Sequence, residues 1–450
     1  MFMKNFLQKN NDLLLNGPIA KGILLFVIPI FIGNLFQQLY NVVDSLIVGQ
    51  YLGESSLAAV SSSTALILLM IGFFDGLSIG SGVVIARYYG NRDIDKMQRT
   101  IHTCIGFAII VGIVLTLSGI FFVPHILVIM DTPLDVLPQS ITYFRIYFMG
   151  SLFFVMYNMS SSILRSVGDS VTPLKFLAVA SLSNIVLDYI LVGVMKMGVG
   201  AAAFATITSQ FISAFLCIRH LLMIDKNYKL ELSKIKIEKY YLKQILKNGI
   251  PAGIQGSIIS LANVVVQSNV NHFGKYAVAG NGSYEKISGF TFLPITCFSL
   301  AISTFISQNL GAGNIDRMKK GARFAIFTGV LLAESIGLII YIFIPYLITF
   351  FSTDSSVIFY GVSKARICSL FSCLLAFSHI MSGILRGIGR AYVPMFIMLS
   401  FWCVFRVTYL NIVVPIFPSM DTISWAYPIT WTMSSTVYLI YYLRIKWEKL

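Results

Sequence analysis

Leu164-Arg165-Ser166-Val167-Gly168, followed by Pro173, returns as Leu385-Arg386-Gly387-Ile388-Gly389 followed by Pro394. The step from Leu164 to Leu385 is a constant of the chain. Tyr89-Gly90 with Ile94-Asp95-Lys96-Met97 returns at the same offset as Leu310-Gly311 with Ile315-Asp316-Arg317-Met318, and Ile28-Pro29 returns one position beyond it as Ile250-Pro251. One ancestral half has been doubled. In an apolar chain, a long repeat predicts two bundles that face each other across a cavity and bind their load at the interface.

The chain is that apolar. Of its 450 residues 56% are hydrophobic and 12% charged, with a mean hydropathy of +0.80, whereas a soluble domain carries about a quarter charged residues. Runs of about twenty apolar residues are long enough to cross a hydrocarbon core about 30 Å thick. About twelve such runs lie near 19–45, 56–87, 100–123, 138–163, 171–193, 199–222, 246–271, 277–310, 321–345, 357–384, 393–415 and 422–445. Ile105 to Val123 and Leu331 to Ile344 are apolar on all sides, which excludes the period-two strands of a β-barrel. The expected fold is an all-α polytopic membrane protein, with about twelve transmembrane helices in two six-helix bundles related by a parallel internal repeat.

Basic residues mark one side. They cluster at the amino end (Lys4, Lys9, Lys21), in alternate connections (Arg87, Arg92, Lys96, Arg99; Arg165, Lys175; Arg317, Lys319, Lys320, Arg323; Arg386, Arg390), in the central segment and in the tail (Arg444, Lys446, Lys449). The other connections hold only Lys196 and Lys275 among acidic Glu54, Asp131, Asp135, Asp354 and Asp421. Retention of positive flanks places both termini in the cytoplasm. Six crossings per half is an even number, so the halves insert with the same polarity.

The net charge of +14 is explained by these flanks, and no nucleic-acid partner is expected. The six cysteines sit in apolar spans without CxxC spacing and read as small buried hydrophobes. The first twenty residues are polar and the first span holds Asn and Gln, unlike a cleavable signal. The segment from about Asp225 to Lys247 is rich in Lys and Glu and reads as a passive connector on the inner leaflet. The expected division is a lobe over 1–224, a cytoplasmic linker over 225–247 and a second lobe over 248–450. Other loops are too short for a catalytic domain, so no enzyme and no cofactor is expected.

Charge inside a membrane is costly and marks function. Asn34, Gln37, Asn41 and Asp44 follow spacings of three, four and three, which puts them on one helix face. Asn184 and Asp188 are one turn apart in the fifth span. With hydroxyls such as Thr206 and Tyr143 they form an oxygen set for a monovalent cation, or for a proton shared between carboxylates. The second half has Val265 or Val266 in place of Asp44 and Tyr409 in place of Asp188, and its seventh span carries neutral Gln255, Asn263, Gln267 and Asn271. The ion site is therefore expected in the first bundle alone. Glu285 is either a counter-charge for a cationic substrate or the partner of Lys286, Arg406 or another basic residue. Asp75, Glu334 and Arg145 carry no assignment. Many aromatic and Met residues face lipid or core, and some suit flat cations.

These residues resemble the multidrug and toxic compound extrusion (MATE) transporters, and the bacterial DinF-like branch in particular. The resemblance covers nearly the whole chain. It rests on Pro29 ahead of Asp44 in the first span, on Ala86-Arg87-Tyr88-Tyr89-Gly90, on the paired LRxxG loops, and on Asn184-x-x-x-Asp188 followed by Gly198-x-Gly200-Ala201-Ala202 and Thr206. It implies a monomer in the bacterial inner membrane that exports small organic cations in exchange for inward H⁺ or Na⁺, by alternating access of a cavity between the lobes. It also implies a coupling-cation site at Asp44, Asn184, Asp188 and Thr206, with Na⁺ as one candidate occupant, and a hinge at Pro29. The competing expectation is a flippase for a lipid-linked precursor, which would need several cations to hold a diphosphate; the intramembrane cations read from the sequence are Lys286 and Arg406.

Overall fold

The computed structural model of the chain describes residues 13–450 apart from 54, 55, 57, 58, 61–63 and 131; Lys4, Lys9, Glu54 and Asp131 thus lie outside the described residues. After a turn at Leu13–Asn16, the first half runs α1 (Ile19–Leu52), α2 (Thr64–Gly90), α3 (Ile94–Ile129), α4 (Leu137–Met149), α5 (Ser151–Ser166), α6 (Val171–Asp188) and α7 (Val199–Met223). The second half runs α8 (Lys239–Asn271), α9 (Lys275–Gly311), α10 (Ile315–Thr349), α11 (Ser355–Ser369), α12 (Ser372–Gly387), α13 (Tyr392–Met398), α14 (Arg406–Ile416) and α15 (Met420–Arg444). Wide π turns continue α6 over Tyr189–Val194 and join α13 to α14 over Leu399–Phe405.

Among the described residues nine helices are long and apolar enough to cross a membrane, ten when α11 and α12, bent by 56°, count as one span. The α4–α5 pair, broken at Gly150, and the long α15 complete twelve. The fold is an all-α membrane bundle of two lobes with six crossings each.

The doubling is visible in the backbone. Left-handed residues Gly53, Arg92 and Gly168 recur as Gly274, Gly313 and Gly389, each pair separated by the repeat offset. The quoted pentapeptide proves to be a helix stop. Gly168 N–H donates to Arg165 O and Asp169 N–H to Leu164 O, and Gly389 to Arg386 O and Arg390 to Leu385 O repeat the pattern. This is the Schellman closure, which satisfies the last carbonyls of a helix and needs a residue with positive φ. The repeat therefore preserves helix ends as well as helix faces.

Packing divides unevenly. One core joins α2, α3, α5 and α7 with the C-terminal part of α1 (Ile47, Val48). The second joins α9, α10, α12 and α15 with the N-terminal part of α1 (Ile23, Phe26, Val27, Ile30) and Leu14. A third, smaller core at the far end of the second lobe joins Val266 and Val270 to Leu410 and Met420. Buried Pro29 sits within the part of α1 that packs in the second lobe's core, and α1 passes to the first lobe's core between Phe31 and Val43. Large apolar side chains such as Phe121, Phe327 and Tyr346 are exposed on the outside, as a lipid-facing surface requires.

The lobes meet along α2 and α8. Gly72, Gly76 and Gly80 face Gly256, Gly253 and Gly249, and a Cβ at Gly76 or Gly80 would overlap the opposing backbone. Small residues four apart permit this approach of two membrane helices. Toward the basic loops, Gln308 Nε2 donates to Ser166 O across the lobes at 2.7 Å. In the opposite half Gln38, Asn41, Asn263 and Glu285 are exposed. Polar side chains exposed at this depth are unlike a lipid-facing surface.

The connector differs from a passive strip on the leaflet. Helix α8 starts at Lys239, inside the segment read as linker, and the residues before it dock on α3. Glu231 N–H donates to His102 Nε2 (3.1 Å), Thr103 Oγ1 to Lys236 O (3.2 Å) and Gln98 Nε2 to Asn227 O (2.6 Å), while Tyr228 and Leu230 are buried.

Candidate functional site

The polar stripe on α1 divides its partners. Asn34 Nδ2 reaches Cys297 Sγ of α9 at 3.4 Å, across the lobe boundary. Gln37 is a hydrogen-bonding neighbour of Tyr40. Asn41 is exposed, and its carbonyl accepts from Ser45 Oγ at 3.0 Å. Asp44 ends the stripe with its carboxyl group within hydrogen-bonding reach of Asp188.

Asp188 is completely buried, at the point where α6 widens into π turns. Such turns re-aim side chains relative to a regular helix and recur at functional sites. Asn184 stands beside it, and the Tyr40 and Tyr143 hydroxyls lie in the field of both acids. Tyr143 is buried and stacks on Tyr147 at 6.3 Å. Thr206 is buried on α7, with its hydroxyl turned back to Ala202 O at 3.1 Å. The structure thus gathers Asp44, Asn184, Asp188 and Tyr143, and Tyr40 joins them without having been singled out in the sequence. Tyr40 lies one helical turn before Asp44, a spacing that alone would have found it.

The site is short of donors. Asp44 Oδ1, both Asp188 oxygens and both polar atoms of the Asn184 amide are buried without a full hydrogen bond. Two carboxylates in contact cannot both remain bare in a low-dielectric setting, and a shared proton or a cation relieves them. Unsatisfied buried polar atoms call for such an occupant. The donor set is all oxygen and suits a hard monovalent cation.

Glu285 takes the second of its two expected roles, an ion pair, and takes it with another basic residue. Its Oε1 accepts from Lys364 Nζ at 2.6 Å, so its partner is neither Lys286 nor Arg406. Lys364 also donates to Asn281 Oδ1 at 2.6 Å and lies 5.4 Å above the Tyr284 ring and 4.8 Å above that of Tyr427. The intramembrane cations read from the sequence therefore omitted Lys364, which is 2% exposed. The signal was present: Lys364 is the repeat counterpart of Tyr143, separated from it by the same step as Leu385 from Leu164. Lys286 instead sits over Phe351 at 5.6 Å. Among the residues left unassigned, Asp75 lies in the field of Arg165, and Glu334 accepts from Cys373 N–H at 2.8 Å. A carboxylate there complements the start of α12.

A buried acid pair in one of two duplicated membrane bundles defines the class: a polytopic membrane transporter. Residues 29–190 and 251–414 each match the MatE family model, and the two matches begin at Pro29 and Pro251. The probable multidrug resistance protein YoeA of Bacillus subtilis is 31% identical over 82% of this chain and 81% of its own length. The probable multidrug resistance protein NorM of Thermotoga maritima is 26% identical over 99% and 96%. A solved structure, described as the outward-facing conformation of a multidrug resistance MATE family transporter of the MOP superfamily, aligns with a TM-score of 0.91 at 24% identity, covering 98% of this chain and 99% of that one. The chain belongs to the MatE family, whose members are transporters and not enzymes.

Proposed function

We propose that the protein is a secondary active antiporter that exports amphipathic, mostly cationic organic compounds in exchange for inward H⁺ or Na⁺. The observation that carries this reading is the Asp44–Asp188 contact with its unsatisfied oxygens and amide. Ion entry relieves the pair, and ion release restores the repulsion, so occupancy can bias the geometry of α1 relative to α6. Pro29 lies between the start of α1 and its polar stripe and is the hinge, since its ring removes a backbone hydrogen bond there. One charge crossing 100 mV supplies about 2.3 kcal/mol, enough for roughly a fifty-fold gradient of a neutral load. Tyr143 joins the oxygen set, Thr206 would join it with a hydroxyl that here donates to Ala202 O, and Asn34, Gln37 and Asn41 line the polar face leading to it.

The basic end is cytoplasmic and holds both termini, the protein acts as a monomer in a bacterial cell membrane, and residues 1–224 and 248–450 are the moving lobes. Relatives named as multidrug resistance proteins support organic substrates. The flippase reading is weaker, because Lys364 already has its carboxylate partner. The test is transport of a dye-like cation in proteoliposomes under a Na⁺ gradient and, separately, a pH gradient. Either one should drive it, and failure of both defeats the antiport reading.

A further inference from the structure

The repeat relates the two buried clusters residue by residue. Lys364 stands one repeat offset after Tyr143, in half-helices whose partners Ser151–Ser166 and Ser372–Gly387 match at both ends. Tyr427 stands one offset after Thr206, in helices Val199–Met223 and Met420–Arg444 that also match at both ends. Arg406 lies a single position beyond the counterpart of Asn184, after the wide turns of Leu399–Phe405, which shift register by about one residue. The Glu285 cluster is therefore the second lobe's version of the acid site, with its charge inverted. The counterparts of Asp44 and Asp188 are uncharged, and the second cluster instead holds two buried cations, Lys364 and Arg406, and one carboxylate that is half exposed.

The surroundings of the Lys364 ammonium are those of a cation cage: an amide oxygen and a carboxylate oxygen, both at 2.6 Å, and two tyrosine faces. Carbonyl and carboxylate oxygens with π faces are what a bound ammonium ligand receives. The cage is held from outside. Asn281 Nδ2 donates to Gln267 Oε1 (3.0 Å) and Gln267 Nε2 to Asn271 Oδ1 (2.9 Å), a chain along the neutral stripe of α8. Arg406 fixes the far wall, with its guanidinium 4.5 Å from the Tyr427 ring and Nη2 donating to Thr430 Oγ1 at 2.8 Å.

We propose that Lys364 is a tethered cation: its ammonium fills in the second lobe the place that the exchangeable cation takes in the first. The second lobe is then permanently occupied, and ion exchange is confined to Asp44–Asp188. This rests on the antiport reading for its meaning, but the cage itself can be tested apart from it. Lys364→Ala leaves a cage open to a small primary ammonium.

Thermal unfolding of purified full-length protein in detergent reads this directly. Lys364→Ala should melt lower than the native chain, and ethylammonium chloride should restore part of the loss, by a few degrees, where tetramethylammonium and sodium chloride do not. The native chain should not respond, and adding Glu285→Gln to Lys364→Ala should remove the response. An equal response of the native chain and Lys364→Ala, no response in either, or the same response to tetramethylammonium overturns the proposal. Should Lys364→Ala not fold, Lys364→Met and Lys364→Met/Glu285→Gln take its place. Neutralising Glu285 should recover stability lost in the single variant, and a double variant no more stable than Lys364→Met overturns the proposal. In proteoliposomes ethylammonium should raise transport by Lys364→Ala at least severalfold and leave Asp188→Asn unchanged. Failure of both gradients to drive transport by the native chain would defeat the antiport reading alone, while the ammonium response of Lys364→Ala decides the cage.

Discussion

Gly90 and Gly311 each press on the residue that the repeat assigns to the other's neighbour. A Cβ on Gly90 would overlap the Gln308 carbonyl, and one on Gly311 would overlap the Arg87 carbonyl. Arg87 and Gln308 are repeat counterparts, as the two glycines are. The contact is two-fold symmetric in a chain whose polar sites are not. It joins the lobes at their basic end, where rigid backbone meets rigid backbone.

Gly90→Val and Gly311→Val should therefore act alike. Overpacking costs about 1–3 kcal/mol, and here it falls on the state in which the basic end is shut. Distances between spin labels placed on that end of α2 and α9 should lengthen in both variants, with transport reduced roughly tenfold. A variant with native distances and native transport would show that the closure tolerates a side chain.

Asp188→Asn should fold and lose gradient-driven transport, because the amide cannot carry the exchanged charge. Replacing one of two repelling buried carboxylates removes an unfavourable pair, so the melting midpoint should stay level or rise. Asp44→Asn should behave similarly. Retained coupling in either variant, measured as dye transport under an imposed gradient, would remove that residue from the site.

Arg317 holds the amino-terminal turn against the second lobe through Leu13 O, Leu14 O and Gly17 O, at 2.5 to 3.3 Å, beside Asn309 Nδ2 to Leu14 O at 3.1 Å. Arg317→Ala should cost about 1–3 kcal/mol, and hydrogen exchange near Gly17–Gly22 should quicken. Arg317→Lys should recover only part, since an ammonium lacks the guanidinium's spread of donors. Unchanged exchange would mean that the turn is held elsewhere.

Asp93 caps α3 by accepting from Lys96 N–H at 3.1 Å, with the Lys96 ammonium at 2.8 Å. The Lys96 side chain, and then its backbone N–H, hold the carboxyl below the usual carboxylate range. A carboxyl depressed in the folded state contributes above that range and loses its contribution as pH falls through the folded value. First-turn amides of α3 should keep their protection near pH 5 and lose it below roughly pH 4. Asp93→Ala should abolish this dependence; an unaltered profile would assign the protection to another group.

The sequence by itself determined the doubled helical architecture, because lipid demands long apolar runs and the repeat offset survives in the residues that end helices, as Gly168 and Gly389 do. It also marked the two acids, because charge in an apolar span stands out, and it put Asn184 one turn from Asp188; that Asp44 meets Asp188 was decided by the packing of α1 against α6. Tertiary structure alone decided the rest. Lys364 was hidden by its position among Ser363, Ala365 and Arg366 near a span end, and only the packing of α11 against α9 and α15 brings it to Glu285, Asn281 and Tyr427. In the same way the three glycines of α2 say that some backbone comes close, and the fold decides that it is α8. Spacing along one helix is fixed by local geometry, whereas a meeting between helices depends on how every other face is buried.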